Sequence, residues 1–473
     1  MSQIDGELHH AAFPGLYLEK GCQIQLFQFG RISGVDSSSC SISSLPIGLS
    51  SVITRIQVLN YRTLRYIDQS LDSFHAIVGA NGTGKSSFLD SISILSDITR
   101  AGVEGAIFGD PGVGIPQRSS DPRMLTWMGK GDSFELAVEL AIPERLRQDA
   151  KFESLRYEIG VHIGEGNEPL AISFEALYLI PKSSIGVDRR DLELFPDPLA
   201  PPATLQTARP PAGWKSVVKK TSGGKDYFQS ERTKYNTQFT VGVGRSALAG
   251  LPADETRFPV AVWARDFLLH GVQKIQLDAE SMRLAAPPGL SSAYRSDGSN
   301  LAWVIDDFKK RASSERFALW VEHVATAVPG VTQIDTVVRE DDRHRYVVVN
   351  YDTGLQAPSW VLSDGTLRIL ALTLLAYLAV EGGLILVEEP ENGVHPRAVD
   401  SVVAALSQVS GRQVVLASHS PVVLAALKAS QVLCFAKSVA GATDIIRGDQ
   451  HPALRDWLER PDLGNLLVAG VLG

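Results

Sequence analysis

At 473 residues the chain is longer than one compact core, and 44% hydrophobic with 21% charged residues describes a globular protein with a sizeable interior, which excludes fibrous and wholly disordered polypeptides. A formal net charge of -8 and a pI of about 5.7 remove any overall attraction to nucleic acid or anionic membrane, so such a partner would need a local basic groove. Cys22, Cys40 and Cys434 are scattered without C-x-x-C spacing, the opening MSQIDGELHH has no basic-then-apolar leader, and no run of ~18 apolar residues occurs, so disulfide framework, structural zinc and membrane span are all unexpected and a cytoplasmic setting is the simplest.

Residues 1–50, ending in SSSCSISSLPIGLSS, lack periodicity and are expected to form an N-terminal extension. From Ile53, ITRIQVLNYR alternates like a half-buried strand; FHAIVGA is a short apolar run of the buried-strand kind ending in glycine, and SSFLDSISILSDI follows as a helix. SFELAVEL, LRYEIGVHI and ISFEALYLI predict an antiparallel meander joined to the first strands. Residues 186–225, with PDPLAPPATLQTARPP and KKTSGGK, are expected to be a long surface excursion.

Leu301 to Val328 carries apolar residues at helical spacing without a sustained heptad, which speaks against a long coiled-coil arm. Strands near Ile334 to Asn350 are followed by LRILALTLLAYLA, GLILVEE, VVAALSQV and QVVLAS, an alternation of helix and buried strand that predicts βα units on a parallel sheet. The apolar stretch from Ile369 to Val380 is too short to span a membrane and reads as a buried core helix. The expected fold class is therefore α/β: a head built from residues 51–100 and 345–473, with a meander and helical insertion over 101–344.

Four local patterns carry chemistry. Gly79-Ala-Asn81-Gly82-Thr83-Gly84-Lys85-Ser86 is a complete G-x-x-x-x-G-K-S between a predicted strand and a predicted helix, continued by Ser87. Its glycines let successive N–H groups face phosphate oxygens at a helix N-terminus, Lys85 would hold the β- and γ-phosphates of ATP, and Ser86 would place its hydroxyl on Mg2+. Leu384 to Val387 is a buried strand ending in Glu388-Glu389-Pro390-Glu391, which puts Glu388 in reach of the metal and Glu389 in reach of an attacking water. Leu362-Ser363-Asp364-Gly365-Thr366 opens a helix, so the Ser363 hydroxyl and Gly365 amide form either a second anion site or an ordinary N-cap. Gln413 to Ala417 is a strand delivering Ser418 and His419 to its polar end.

In their order along the chain the four elements resemble the heads of ABC-type ATPases of the RecF/SMC class, over roughly Ile53 to Leu95 and Val361 to Leu427. The wording VEEPENGVHP, LSDGTLRILAL and ASHSP is similar to bacterial AAA-labelled, ABC-like ATPases, including subunits of antiphage systems and the ATPase half of overcoming-lysogenization-defect nucleases. The resemblance implies a P-loop head with a mixed sheet, a signature motif at Ser363 and Gly365 presented to the opposite subunit's γ-phosphate, and a switch histidine at His419. It further implies a homodimer through ATP-sandwiched heads and a protein effector such as a nuclease, or DNA, as partner in phage defence or DNA repair, with no role at a membrane.

Glu388 stands where many relatives carry Asp, and Gln117 is the candidate for the glutamine loop that completes the metal site. Arg62 has two readings, a nucleotide contact and a solvent-exposed cation. Lys215, Lys219, Lys220 and Lys225 are read as a solvated loop in preference to a DNA-contacting patch. About 54 residues follow His419 without a D-x-D cluster, so the nuclease domain fused to some relatives is not expected. Two rival functions are a transporter's motor subunit, opposed by the LSDGT wording and large insertion, and a non-hydrolysing nucleotide-dependent scaffold.

Overall fold

The computed structural model describes residues 52–147, 151–164, 168–182, 200–221, 225–378, 382–438 and 440–451. Every described residue lies in one compact unit. The expectations for the N-terminal extension and for Cys22 and Cys40 fall outside the described residues, as does the tail after His451.

The unit begins with β1 (Ile53–Tyr61), β2 (Leu64–Ser70), β3 (Phe74–Gly79) and α1 (Lys85–Phe108). Every residue of β3 is buried, and α1 is interrupted at Gly102, whose positive φ of 76° lets Val103 N–H donate to the Gly244 carbonyl at 2.9 Å. Next come β4 (Ser133–Ala141), β5 (Phe152–His162), β6 (Ala171–Pro181), β7 (Lys215–Lys220), β8 (Asp226–Gln229) and β9 (Asn236–Phe239). All pair antiparallel in one sheet of order β2-β1-β4-β5-β6-β7-β8-β9, so the meander continues the first hairpin.

Then follow α2 (Pro259–Asp266), β10 (Val272–Ile275), α3 (Ala279–Arg283), α4 (Leu301–Arg311), α5 (Ser314–Ala327), β11 (Val331–Val338), β12 (Arg345–Tyr351) and β13 (Gln356–Pro358). The last three form a small antiparallel sheet of their own. The chain ends, within the described residues, with α6 (Asp364–Leu374), β14 (Leu384–Glu388), α7 (Pro396–Ser407), β15 (Gln413–Ala417), α8 (Pro421–Ala425), β16 (Val432–Lys437) and β17 (Thr443–Arg447).

The central sheet has the order β10-β14-β15-β3-β16-β17; its first five strands are parallel and β17 is antiparallel, a mixed α/β sheet. Its inner strands read as continuous apolar runs because both faces are covered. Ile77, Leu386 and Val415 pack with α1 and the meander, whereas Ala76, Ile385 and Leu416 pack with α4, α6 and α7. Gln413, fully buried, ties this sheet to the meander: its side chain accepts from Ile53 N at 3.0 Å and donates to the carbonyls of Ile53 at 2.8 Å and Asp72 at 2.7 Å.

One expectation fails over the insertion. Within the described part of 186–225, Lys215–Lys220 is not a surface excursion but a strand inside the eight-stranded sheet, because Val217 and Val218 are buried and Lys215 and Lys220 on either side of them find partners; residues 186–199 and 222–224 lie outside the described residues. Lys220 pairs with Asp226 at 2.8 Å with both side chains buried, and Lys215 donates to the Glu231 carbonyl, whereas Lys219 and Lys225 are exposed, so two of the four lysines read as a solvated loop are instead held by the sheet. β10, too polar to be recognised as a strand, is the edge of the central sheet. Among the described residues no helix is long and apolar enough to cross a membrane.

Candidate active site

Parallel strands place their C-terminal tips at one edge, and here that edge gathers Gly79, Glu388 and Ala417 from β3, β14 and β15. The glycine loop after β3 is seated on the last strands of the sheet. A Cβ on Gly79 would lie 2.3 Å from the Phe435 carbonyl oxygen, and one on Gly84 would lie 2.4 Å from Thr443 Oγ1 and 2.9 Å from Thr63 Oγ1. Gly84 also has φ of 106°, a left-handed conformation that opens α1 without a side-chain cap, so its first N–H groups are left for a ligand. Thr443 Oγ1 donates to the Thr83 carbonyl at 2.7 Å, and Thr83 Oγ1 to the Ala80 carbonyl at 2.9 Å, fixing the loop's curvature. Asn81 and Gly82 are exposed on its crest, and Ser87 faces Thr63 at 3.3 Å.

Lys85 Nζ donates to the carbonyls of Gly79 at 2.6 Å and Ala80 at 2.9 Å, without a carboxylate partner among the described residues. Burial holds its ammonium below the usual lysine range, and the charge of Glu389 opposes the shift. Such a cation, next to uncapped amides, is an anion site.

Lys85, Ser86, Glu388, Glu389, Ser418 and His419 line one cavity of about 350 Å³. Glu389 has φ of 47°, an uncommon backbone for a residue with a side chain, and its Oε1 lies 3.4 Å from His419 Nδ1. Both side chains are half exposed to the cavity mouth. Glu388 Oε2 lies 3.4 Å from Lys274 Nζ, while its Oε1 is buried without a hydrogen-bond partner. A buried, unsatisfied carboxylate oxygen beside a serine hydroxyl is the donor set that a hard cation such as Mg2+ takes, with water completing its shell, so the residues fit that metal.

Three contributors were not legible in the sequence. Glu391 accepts from Ser418 Oγ at 2.7 Å and lies 4.0 Å from His419 Nδ1, holding the turn that carries the histidine. Arg368 of α6 lines the same cavity, anchored on the Leu277 carbonyl at 3.2 Å, and Lys274 reaches Glu388 from the unrecognised edge strand. Only the third carboxylate of VEEPE gave a signal that could have been followed.

Gln117 lies apart from the smaller cavity but lines a larger one, of about 1240 Å³, that also contains Ser86 and Glu388. Arg62, expected either on nucleotide or in solvent, is half buried on the wall of that larger cavity and pairs with Asp90 of α1 at 3.0 Å, an acceptor one turn beyond Lys85. Ser363 and Gly365 line neither cavity. Ser363 is the exposed N-cap of α6, accepting from Thr366 N at 3.1 Å, and Arg283 braces the motif through Asp364 and the Leu362 carbonyl. A Cβ on Gly365 would lie 2.6 Å from the Gly393 carbonyl oxygen, so α6 starts hard against the loop after β14.

Residues 74–425 match the sequence model of the family described as "AAA domain, putative AbiEii toxin, Type IV TA system". Similar solved structures include an Smc head bound to the C-winged helix domain of ScpA, at 13% identity and TM-score 0.45 over 84% of this chain and 98% of that one. An Smc head with an extended coiled coil, bound to the C-terminal domain of ScpA derived from Pyrococcus furiosus, is 12% identical with TM-score 0.44, over 86% of this chain and 99% of that one. The SMC head domain from Thermotoga maritima is 10% identical with TM-score 0.38 over 84% and 99%. No curated protein matches the sequence.

Proposed function

The chain belongs to this AAA-domain family of ABC/SMC-like ATPases, and from that membership and the cavity around Lys85 we propose that it binds and hydrolyses Mg-ATP between two heads related by a two-fold axis. The observation that carries the reading is the convergence of Lys85, Ser86, Glu388, Glu389 and His419, drawn from three strand ends, on one cavity of about 350 Å³.

Lys85 exchanges its two loop carbonyls for phosphate oxygens, and the uncapped N–H groups of α1 face the same charge. Ser86 and Glu388 would hold Mg2+, which would supply neutralising charge to the phosphate groups, and Gln117 lines the larger cavity that reaches the same two residues. Glu389 accepts the proton of the attacking water, and its contact to His419 fixes the imidazole toward the γ-phosphate. Ser363, exposed and turned away from the chain's own cavity, serves the site of the second head. Neither half is then complete alone, and because positioning and charge stabilisation supply most of the rate in phosphoryl transfer, hydrolysis is coupled to opening of the dimer.

The opening acts on a DNA-directed or nuclease effector in phage defence or DNA repair, a reading supported by the family description, which names a toxin of a toxin–antitoxin system. Measurement of mass in solution tests the mechanism: with ATP, Glu389→Gln accumulates dimer and Lys85→Ala does not. Equal behaviour of the two variants defeats it.

A further inference from the structure

The larger cavity, of about 1240 Å³, wraps the free edge of β10 and continues well beyond the residues assigned to nucleotide. Its charge is opposite to that of the chain. Among the described residues, seven Lys or Arg side chains line it against four Asp or Glu, an excess of three positive charges in a protein whose formal net charge is -8.

All four carboxylates are engaged. Asp90 takes Arg62 at 3.0 Å and Arg118 at 2.8 Å; Asp97 takes Arg118 at 2.6 Å and Arg100 at 3.4 Å. Asp307 takes Arg311 at 2.8 Å, and Glu388 takes Lys274 at 3.4 Å. Two arginines remain, Arg316 at the start of α5 and Arg412 immediately before β15, and neither meets a carboxylate among the described residues.

Arg412 is 7% exposed; one terminal nitrogen donates to Gln273 Oε1 at 3.0 Å, while Nε has no partner among the described residues. Burial alone lowers this guanidinium to about 10, a cation kept out of water without a carboxylate partner among the described residues. A fork of N–H donors in that state, with a second arginine lining the same space, is a receptor for a planar or tetrahedral oxyanion.

We propose that Arg316 and Arg412 form a binding site for the phosphate group of a small ligand, separate from the nucleotide loop. A nucleic-acid backbone suits it less well, because a duplex or extended strand cannot reach a guanidinium this deeply covered, whereas a cavity of this size encloses a small molecule.

Inorganic phosphate is the probe, titrated calorimetrically at constant ionic strength into the full-length Lys85→Ala chain, where the nucleotide loop is disabled. Saturable binding is expected there; adding Arg412→Gln or Arg316→Gln weakens it at least tenfold, and adding Arg311→Gln, whose partner is Asp307, changes it less than twofold. With Lys85 restored, Arg316→Gln retains ATP binding, which separates this site from the nucleotide site. Should Arg412→Gln lose its native circular dichroism, the half-buried Arg316 decides. Absence of saturable binding in Lys85→Ala, or indifference to the variants that fold, overturns the proposal. Displacement of phosphate by a single-stranded 12-mer at lower concentration than by free phosphate overturns it in favour of nucleic acid.

Discussion

Replacing Lys274 with methionine removes the ammonium 3.4 Å from Glu388 Oε2 while keeping most of the aliphatic stem. That ammonium sits on the oxygen next to the Oε1 assigned to Mg2+ and repels a second cation on the same carboxylate, so the two cations compete. The side chains are 25% and 28% exposed, which places the pair between surface and interior; such pairs contribute about 0.5–1 kcal/mol. At about 1.36 kcal/mol per factor of ten, Lys274→Met should tighten binding of the divalent ion roughly two- to fivefold. Mn2+ as a paramagnetic substitute, titrated with ATP present, reads the affinity directly, and Lys274→Arg should leave it nearly unchanged. Weaker metal binding in Lys274→Met would show that the lysine assists the site and would refute the competition.

Three further outcomes follow from the geometry. Gly84→Ala forces a Cβ to within 2.4 Å of Thr443 Oγ1 at φ of 106°; a strain of about 1–3 kcal/mol should cut the affinity for a fluorescent ATP analogue by roughly 5- to 150-fold. Gln413→Leu leaves Ile53 N without an acceptor and two carbonyls without a donor in the interior, and should lower unfolding stability by about 2–4 kcal/mol in urea titrations. Burial raises the Glu231 carboxyl from 4.5 to about 7, against the opposing bonds from Val260 N and Ala261 N and the charge of Lys215. Because the folded value is the higher one, the stability tied to its neutral form is complete below about 4.5 and lost as pH rises through about 7. The urea midpoint should therefore fall between pH 5 and pH 8, by up to roughly 3 kcal/mol in stability, and Glu231→Gln should flatten that profile.

The parts of the site legible in the sequence are those where an apolar run stops abruptly at a polar cluster. FHAIVG before the glycine loop, LILV before Glu388 and QVVLA before Ser418 are buried on both faces, so their ends had to be the sheet's edge. β10 gave no such signal: VQKI is four residues long, lies at an edge and carries two polar side chains, one of which is Lys274. KSVVKK misled for the opposite reason. Its lysines suggested solvent, yet Lys220 is neutralised by Asp226 and buried, a pairing no local pattern encodes because β7 and β8 must already be adjacent. Arg62 likewise depended on a partner 28 residues away on α1.

The seat of the glycine loop is supplied by residues synthesised after every motif that lines the site. β3 lies between β15 and β16, and Phe435 and Thr443 close over Gly79 and Gly84. A nascent chain released after α8 would carry every motif from Lys85 to His419 yet leave β3 with one unpaired side and its loop without support. Competence to take up nucleotide is thereby expected only once synthesis has passed residue 443.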